Sequence, residues 1–171
     1  MKTTLTLLLL LLAGSSAFAQ TNNDAAALIT TAQINQLFGC NVSDGKSIMA
    51  GKYISHRSAD NNTRVIVQYN DFHTPALAAD MLKRERDGSF DLIAKGQKAS
   101  GVYTEAKPLD FAGASAFYMT SPGNSYSPGY QLRMQFVLGS CMLTFDTNGI
   151  AREKVIAHLN DIYKIIKGNF K

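Results

Sequence analysis

The stretch GYQLRMQFVLGSCMLTFD, residues Gly129 to Asp146, is the segment that decides the fold. Its apolar side chains alternate with polar ones from Tyr130 to Leu138, a period of two that is typical of a strand with one buried face. Gly139 and Ser140 follow, and a glycine at the first central position favours a two-residue type II′ turn. The sequence therefore predicts a β-hairpin. Its register pairs six apolar residues on one face: Leu138 with Cys141, Phe136 with Leu143 and Met134 with Phe145.

Residues 1–19 have the pattern of a secretory signal peptide. Lys2 provides the charged start, Leu5 to Ala13 the apolar segment, and Ala17-Phe18-Ala19 the cleavage signal. We therefore expect an exported protein, periplasmic or secreted, whose mature chain begins at Gln20. The apolar run is shorter than the ~20 residues that a membrane-spanning helix needs, so we expect no span after cleavage.

The mature chain is predicted to form one domain, with residues 20–29 loose and residues 30–171 folded. A chain of about 150 residues is long enough to bury a core unaided. Loss of Lys2 with the leader lowers the formal net charge of +4 by one, and the basic residues are scattered along the chain. This charge is too weak to indicate a nucleic acid partner. We expect a soluble monomer without a cofactor.

Three helices are predicted. The capping-box spacing of Thr30-Thr31-Ala32-Gln33 starts a short helix that ends at Phe38. Thr74-Pro75 starts a second one, which should end near Arg86 because Asp87-Gly88 breaks the pattern, with Phe90, Leu92 and Ile93 as candidates for another helical turn. The third is a long C-terminal helix ended by glycine, with apolar residues at helical spacing at Val155, Ile156, Leu159, Ile162, Tyr163 and Ile166.

A second hairpin is predicted around Asn61-Asn62, since asparagine tolerates the positive φ of tight turns. A two-residue turn there sets Ile54 opposite Tyr69 and His56 opposite Val67. An edge strand stopped by a proline and a strand of small residues should precede the first hairpin. The predicted fold class is α+β: a mostly antiparallel sheet of about five to six strands, with the long C-terminal helix and two shorter helices packed on it.

This order of elements resembles PsbP-like domains and the similar small exported bacterial domains of unknown function. The resemblance covers roughly Thr30 to Phe170. It includes the helix end Leu37-Phe38-Gly39-Cys40, the hairpin end Tyr69-Asn70-Asp71 and the helix that starts with Thr-Pro. Members of that group are mostly binding or assembly factors, so the resemblance implies a non-enzymatic role and transfers no functional residue.

The two cysteines, Cys40 and Cys141, are predicted to form a disulfide because export delivers a chain to an oxidising compartment. Such a bond would tie the end of the first helix to the sheet. It would close a loop of about 100 residues, for which chain entropy gives about 4.7 kcal/mol. The alternative is a pair of buried free thiols.

Histidines and one aspartate are the candidates for chemistry. His56 lies on an apolar strand face, where a hydrogen-bonded core role competes with a functional one. Asp71 and His73 are two residues apart at a strand end, a spacing at which both reach one metal ion, although turn and capping roles explain them equally well. His158 is expected to be solvated on the last helix.

The remaining motifs do not assemble a catalytic set. Ser43-Asp44-Gly45-Lys46 matches the Ser-x-x-Lys pattern of penicillin-recognising enzymes, but its companion motifs are missing. The turn-rich loop from Ser121 to Pro128 contains the weak binding candidates Asn124, Ser125 and Tyr126.

The leading hypothesis from the sequence is an exported, non-catalytic binding or assembly module. It would act on a protein or cell-envelope component through a sheet face or the loop Ser121 to Pro128. The alternative is a small periplasmic hydrolase or metal-dependent enzyme that uses Asp71, His73 and possibly His56. An inhibitor of another exported enzyme is a third possibility, which the sequence does not separate from the first.

Overall fold

The computed structural model describes residues 23–111, 114–124 and 127–171, so the predicted signal peptide lies outside the described part of the chain. The described residues form five helices and seven strands. The helices are α1 (Ala25–Leu28), α2 (Thr31–Phe38), α3 (Pro75–Ala94), α4 (Arg152–Ala157) and α5 (Leu159–Asn169). The strands are β1 (Val42–Ser43), β2 (Tyr53–Ser58), β3 (Arg64–Asp71), β4 (Glu105–Phe111), β5 (Ala114–Asn124), β6 (Ser127–Leu138) and β7 (Cys141–Asn148).

The hairpin of β6 and β7 forms as predicted. Gly139 has a φ of +56° while Ser140 keeps a negative φ, as a type II′ turn requires. Tyr130, by contrast, is exposed, so the buried side of the alternation begins at Leu132. All three predicted pairs are present: Leu138 with Cys141, Phe136 with Leu143 and Met134 with Phe145.

The strands pair antiparallel in the order β1-β2-β3-β7-β6-β5-β4. This confirms the α+β class and the antiparallel sheet, but the sheet has seven strands instead of five to six. The additional strand is β1, which has only two residues. At the other edge, β4 continues through Pro108 to Phe111 instead of stopping at the proline. Proline is tolerated there because an edge strand leaves one row of backbone donors unpaired.

The sheet is covered unequally on its two faces. On the core face, α1, α2, α4 and α5 pack against a continuous apolar layer that includes Ile54, Val65, Val67, Tyr69, Leu132, Met134, Phe136, Leu143 and Phe145. On the opposite face, α3 packs across β4 to β7. It buries a smaller cluster formed by Leu82, Ala99, Tyr103, Phe117, Met119 and Met142.

The hairpin of β2 and β3 has a wider turn than predicted. Ile54 pairs with Val67 and His56 pairs with Val65, each two residues away from the predicted partner. Asp60 accounts for the difference, because its carboxylate accepts a hydrogen bond from the backbone N–H of Asn62 at 3.0 Å. A shift of two residues preserves the side of the sheet, so His56 still lies on the core face.

Helix α3 is longer than predicted, since it has 20 residues and runs through Asp87-Gly88 without a break. A helical glycine costs about 1 kcal/mol relative to alanine. Packing of the residues beyond Gly88 offsets this cost, because Ser89 is buried and Phe90 and Ile93 pack against the smaller cluster under α3. Phe90 lies edge-on to Phe117 with ring centroids 6.1 Å apart.

The predicted single C-terminal helix is divided into α4 and α5 at His158. This residue has φ −105° and ψ 5°, which is outside the helical region. Its Nδ1 lies 3.1 Å from Asp161 Oδ2, and its ring packs edge-on to Phe38 at 6.2 Å. The expectation that His158 is simply solvated is therefore wrong, because the ring is held between two helices.

Of the segment predicted to be loose, residues 20–29, the structure describes residues 23–29, which include α1 and pack against the core. Asp24 caps α1 by accepting a hydrogen bond from the N–H of Ala26 at 3.0 Å, and Leu28 is buried. The side chain of Asn23 donates to the Lys171 carbonyl at 2.8 Å and accepts from the Lys171 N–H at 2.8 Å. Both ends of the domain are thus joined, through long-range contacts that no local pattern predicts.

The predicted disulfide is wrong, because Cys40 and Cys141 are not bonded to each other. Cys141 begins β7, whereas Cys40 lines a cleft together with Gly149, which follows the end of that strand. The 8 residues of β7 separate its ends by about 23 Å. A disulfide needs Cα atoms within about 7 Å of each other. The Sγ of Cys40 instead donates to Asn35 Oδ1 at 3.4 Å.

Candidate functional site

Asp71 and His73 lie together at the end of β3, and the structure gives the aspartate a turn-forming role. Its Oδ1 accepts hydrogen bonds from Ser140 Oγ at 2.7 Å and from the backbone N–H of His73 at 2.8 Å. These two bonds lower the pKa of Asp71, the Ser140 hydroxyl more than the backbone. His73 is exposed and has a φ of +67°. Asp71 therefore fixes the path of the chain from β3 into α3.

His56 is distant from that pair. It is buried opposite Val65, whereas Asp71 comes six residues after Val65 on the same strand, about 20 Å away. Its Nδ1 is 3.0 Å from the hydroxyl of Thr31, which donates in turn to the carboxylate of Asp44. The three residues of the alternative enzyme hypothesis are therefore not brought together.

The predicted loop from Ser121 to Pro128 is mostly strand. The pairing of β5 with β6 continues to Asn124 opposite Ser127, with an irregularity between Ser121 and Gly123. The candidates Ser125 and Tyr126 lie outside the described residues, and so does the side chain of Asn124.

The feature with the strongest functional character is the part of the sheet opposite the core face that α3 leaves uncovered. We call it the open face. It carries side chains from four neighbouring strands, all polar or charged except Ile66, and every one of them is at least partly exposed. Its members are Tyr53, Ser55, Arg57, Arg64, Ile66, Gln68, Asn70, Gln131, Arg133, Asp146 and Asn148.

The arginine nearest to α3, Arg133, is neutralised within the open face. Its guanidinium makes two hydrogen bonds of 2.8 Å to the carboxylate of Asp146, directly opposite on β7. Its Cζ also lies 5.5 Å from the ring centroid of Tyr103. The Asp146 bonds raise the pKa of Arg133, and burial raises the pKa of Tyr103. This ion pair borders the site, and neither charge is available to a ligand because each compensates the other.

Two other arginines on the open face have a different environment. Arg64 donates from Nε to Ser55 Oγ at 3.0 Å and from Nη2 to the Tyr53 hydroxyl at 2.7 Å. Arg57 is exposed and lies directly opposite Arg64 on β2. Within the described ranges, neither arginine makes an ion pair. The corner formed by β2 and β3 is therefore positively charged.

A shallow recess of about 140 Å³ lies beside Arg64. Its volume is below the roughly 300–1,000 Å³ of most small-molecule sites. It has room for a side-chain-sized polar group. The recess is lined by Arg64, Ile66, Tyr103, Gln131, Asp146, Thr147 and Asn148.

Sequence reasoning did not single out these residues, although a signal for them exists. Along β2 and β3, the positions that alternate with the buried Ile54, Val65 and Val67 are polar apart from Ile66, and they include Arg57 and Arg64. Period-two alternation identifies such a face. Whether a helix covers that face depends on the path of α3, which the alternation does not encode.

Other chemistry and comparisons add the following findings. The described ranges contain no group of three or more His, Cys, Asp or Glu residues able to hold a metal ion. No helix in the same ranges has the length and apolar character that crossing a membrane requires. Neither a protein-family model nor a curated protein matches the sequence.

Proposed function

We propose that this protein is an exported, non-catalytic binding or assembly module that engages its partner through the open face. The signal-peptide pattern of residues 1–19 supports a periplasmic or secreted location. The observation that carries the proposal is the open face itself, a polar sheet surface that is not covered by α3 and holds side chains in place by mutual hydrogen bonds. Preorganised polar groups of this kind lower the cost of ordering a site on binding.

The order of elements supports the same role through the resemblance to PsbP-like domains. In that group the domain serves mostly as a binding or assembly factor. The present chain has the helix, the hairpin, the helix that starts at Thr74-Pro75 and the final strands and helices in that order.

Site-specific photo-crosslinking tests the proposal. A photoreactive amino acid is placed at Gln68, on the open face, and in a matched protein at Lys83, on the exposed side of α3. We expect discrete cross-linked species in extracts of the source cells from position 68 and none from position 83. Equal cross-linking at both positions, or cross-linking at position 83 alone, would contradict a role for the open face.

The enzyme hypothesis is tested independently. Stoichiometric zinc or another transition metal in the native protein, lost on His73→Ala, would favour a metal-dependent role for Asp71 and His73. We expect the metal content of the native protein and of His73→Ala to be the same, because Asp71 already accepts two hydrogen bonds within the chain.

A further inference from the structure

We propose that the open face recognises a carboxylate-bearing segment of a partner protein, with Arg64 and Arg57 as the binding residues. This inference rests on the proposed function, since it names the chemistry of the ligand at the same site. An acidic side chain of the partner would lie at the corner of β2 and β3, where Arg57 and Arg64 are direct cross-strand neighbours.

Arg64 is already oriented for this role. The hydroxyls of Ser55 and Tyr53 hold its Nε and Nη2 but carry no negative charge. A guanidinium has five N–H donors in a rigid planar fork that matches a carboxylate. The contacts within the chain therefore fix the plane of the group and leave its charge uncompensated.

Arg57 strengthens the argument, because it faces Arg64 across the β2–β3 pair. Like charges directly opposite each other on neighbouring strands destabilise a sheet. An anion placed between them converts that repulsion into two attractions. Asp146 is the described acid of the open face. Its carboxylate accepts hydrogen bonds of 2.8 Å from Nε and Nη2 of Arg133, so it is not available to compensate Arg57 and Arg64.

The surroundings favour a protein segment over a lipid surface. The open face is mainly polar: its one aliphatic member, Ile66, is only partly exposed, and the exposed Ile48 borders the face beside Tyr53, at the other end of β2 from Arg57. The described residues of the charged corner itself therefore present no apolar patch to acyl chains. Further along β3 on the same face, Gln68 and Asn70 supply amide groups that both donate and accept, which suits an extended peptide backbone. The recess that Arg64 borders has room for one further polar side chain of such a segment.

Binding of a short labelled peptide of alternating glutamate and serine tests the inference by fluorescence anisotropy. The comparison ligands are the same peptide with glutamine for glutamate and vesicles of phosphatidylglycerol. The variant Arg57→Gln/Arg64→Gln removes both proposed contacts. The control Arg84→Gln/Lys98→Gln removes the same charge from exposed positions outside the open face.

We expect the acidic peptide to bind about tenfold or more weakly to Arg57→Gln/Arg64→Gln, and within about twofold of wild type to the control. The glutamine peptide should bind no better than the acidic peptide binds the double variant. If loss of Arg64 impairs folding, as judged by circular dichroism, Arg57→Gln alone gives the answer, since Arg57 is exposed and makes no ion pair in the described ranges.

Equal binding of the two peptides, equal loss in the control, or tighter binding to the vesicles than to the peptide would overturn the inference. Cross-linking from position 68 that persists unchanged in Arg57→Gln/Arg64→Gln would sink it while leaving the proposed function intact. Absence of cross-linking from position 68 would remove the proposed function, and this inference with it.

Discussion

At the scale of the residue, His56 is the most unusual side chain of the core face. It is 2% exposed, and its Nε2 is buried without a hydrogen-bond partner in the described part of the chain. The hydroxyl hydrogen of Thr31 points at Asp44, so the oxygen of Thr31 accepts from Nδ1–H of His56. The imidazolium, which carries a proton on both ring nitrogens, is disfavoured because Nε2 is buried without an acceptor among the described residues. Burial lowers its pKa below 6.5, and the Ser43 backbone and the Asp44 carboxylate offset only part of this effect.

His56 makes the stability of the protein pH-dependent. Its unfolded form takes up a proton as the pH falls through 6.5, whereas the folded form takes it up only at lower pH. The contribution to stability is therefore complete above that value and is lost as the pH falls through the pKa of the folded state.

We expect the free energy of unfolding by urea to fall between about pH 7 and about pH 5, and to fall less in His56→Gln. His73→Gln is the matched control, because His73 is exposed. A slope in His56→Gln equal to that of the wild type would show that His56 is not the titrating group.

A second prediction at this scale concerns backbone strain between Ile48 and Tyr53. Met49 and Ala50 have φ values of +55° and +53°, which non-glycine residues adopt at a cost of about 1–2 kcal/mol each. Ala50 is exposed and loses no packing when truncated. Ala50→Gly should raise the free energy of unfolding by about 0.5–1 kcal/mol after the added entropy of glycine in the unfolded chain is subtracted.

The same substitution in α3 provides the control for Ala50→Gly. Ala79 is exposed and helical, so Ala79→Gly should lower the free energy of unfolding by about 1 kcal/mol. Destabilisation by both substitutions would mean that the turn at Ala50 is not strained.

At the scale of the element, α3 shows how tertiary packing overrides a local break signal. Gly88 sits in the middle of this helix, exposed and with ordinary helical geometry, and a Cβ added to it would have no atom within 4 Å. Gly88→Ala should therefore stabilise the protein by about 0.5–1 kcal/mol, through lower entropy of the unfolded chain and better helix propensity. Thermal unfolding followed by circular dichroism measures the change.

Gly96 distinguishes this effect from a general preference for alanine. A Cβ added to Gly96 also meets no atom within 4 Å, but its φ is +72°. Gly96→Ala should destabilise the protein, so the two substitutions are expected to have opposite signs. A change of the same sign for both would contradict a helical backbone at Gly88 and a left-handed one at Gly96.

Element boundaries were predictable where the determining contacts are local. The capping box of Thr30 and Gln33 forms with both hydrogen bonds, and Gly39 ends α2 with a φ of +52°. The boundaries that were wrong, at Gly88 and His158, are set by packing against the sheet and against Phe38. Neither contact involves residues close in sequence.

At the scale of the whole molecule, the reactivity of the two cysteines tests where α2 lies relative to the two ends of β7. Cys40 is partly exposed at one end of β7, and Cys141 is fully buried at the other. We expect mass spectrometry under non-reducing conditions to find two alkylatable thiols in the unfolded protein. In the native protein only Cys40 should react. Its reaction should accelerate with rising pH, because burial raises the pKa of this thiol and limits the thiolate fraction.

Cys40→Ala serves as the control, since it should remove the reaction in the native state and leave one thiol that reacts after unfolding. Recovery of an intact disulfide from the native exported protein would require the end of α2 to move along the full length of β7. That result would contradict the arrangement of α2 and the sheet.

The sequence by itself determined the features that depend on neighbours along the chain. These are the face and register of the β6–β7 hairpin, the helix caps at Thr30 and Thr74, and the α+β class. The physical reason is that side-chain alternation, turn geometry and capping bonds act within a few residues of one another.

Only the tertiary structure decided which of those elements meet. The separation of Cys40 from Cys141, the bond of His56 to Thr31 and the charged corner of Arg57 and Arg64 all follow from the strand order and from α3 stopping short of β2 and β3. Such contacts depend on the burial of apolar surface between segments far apart in the chain. The packing of all these segments together determines which face of the sheet is covered and which one remains open.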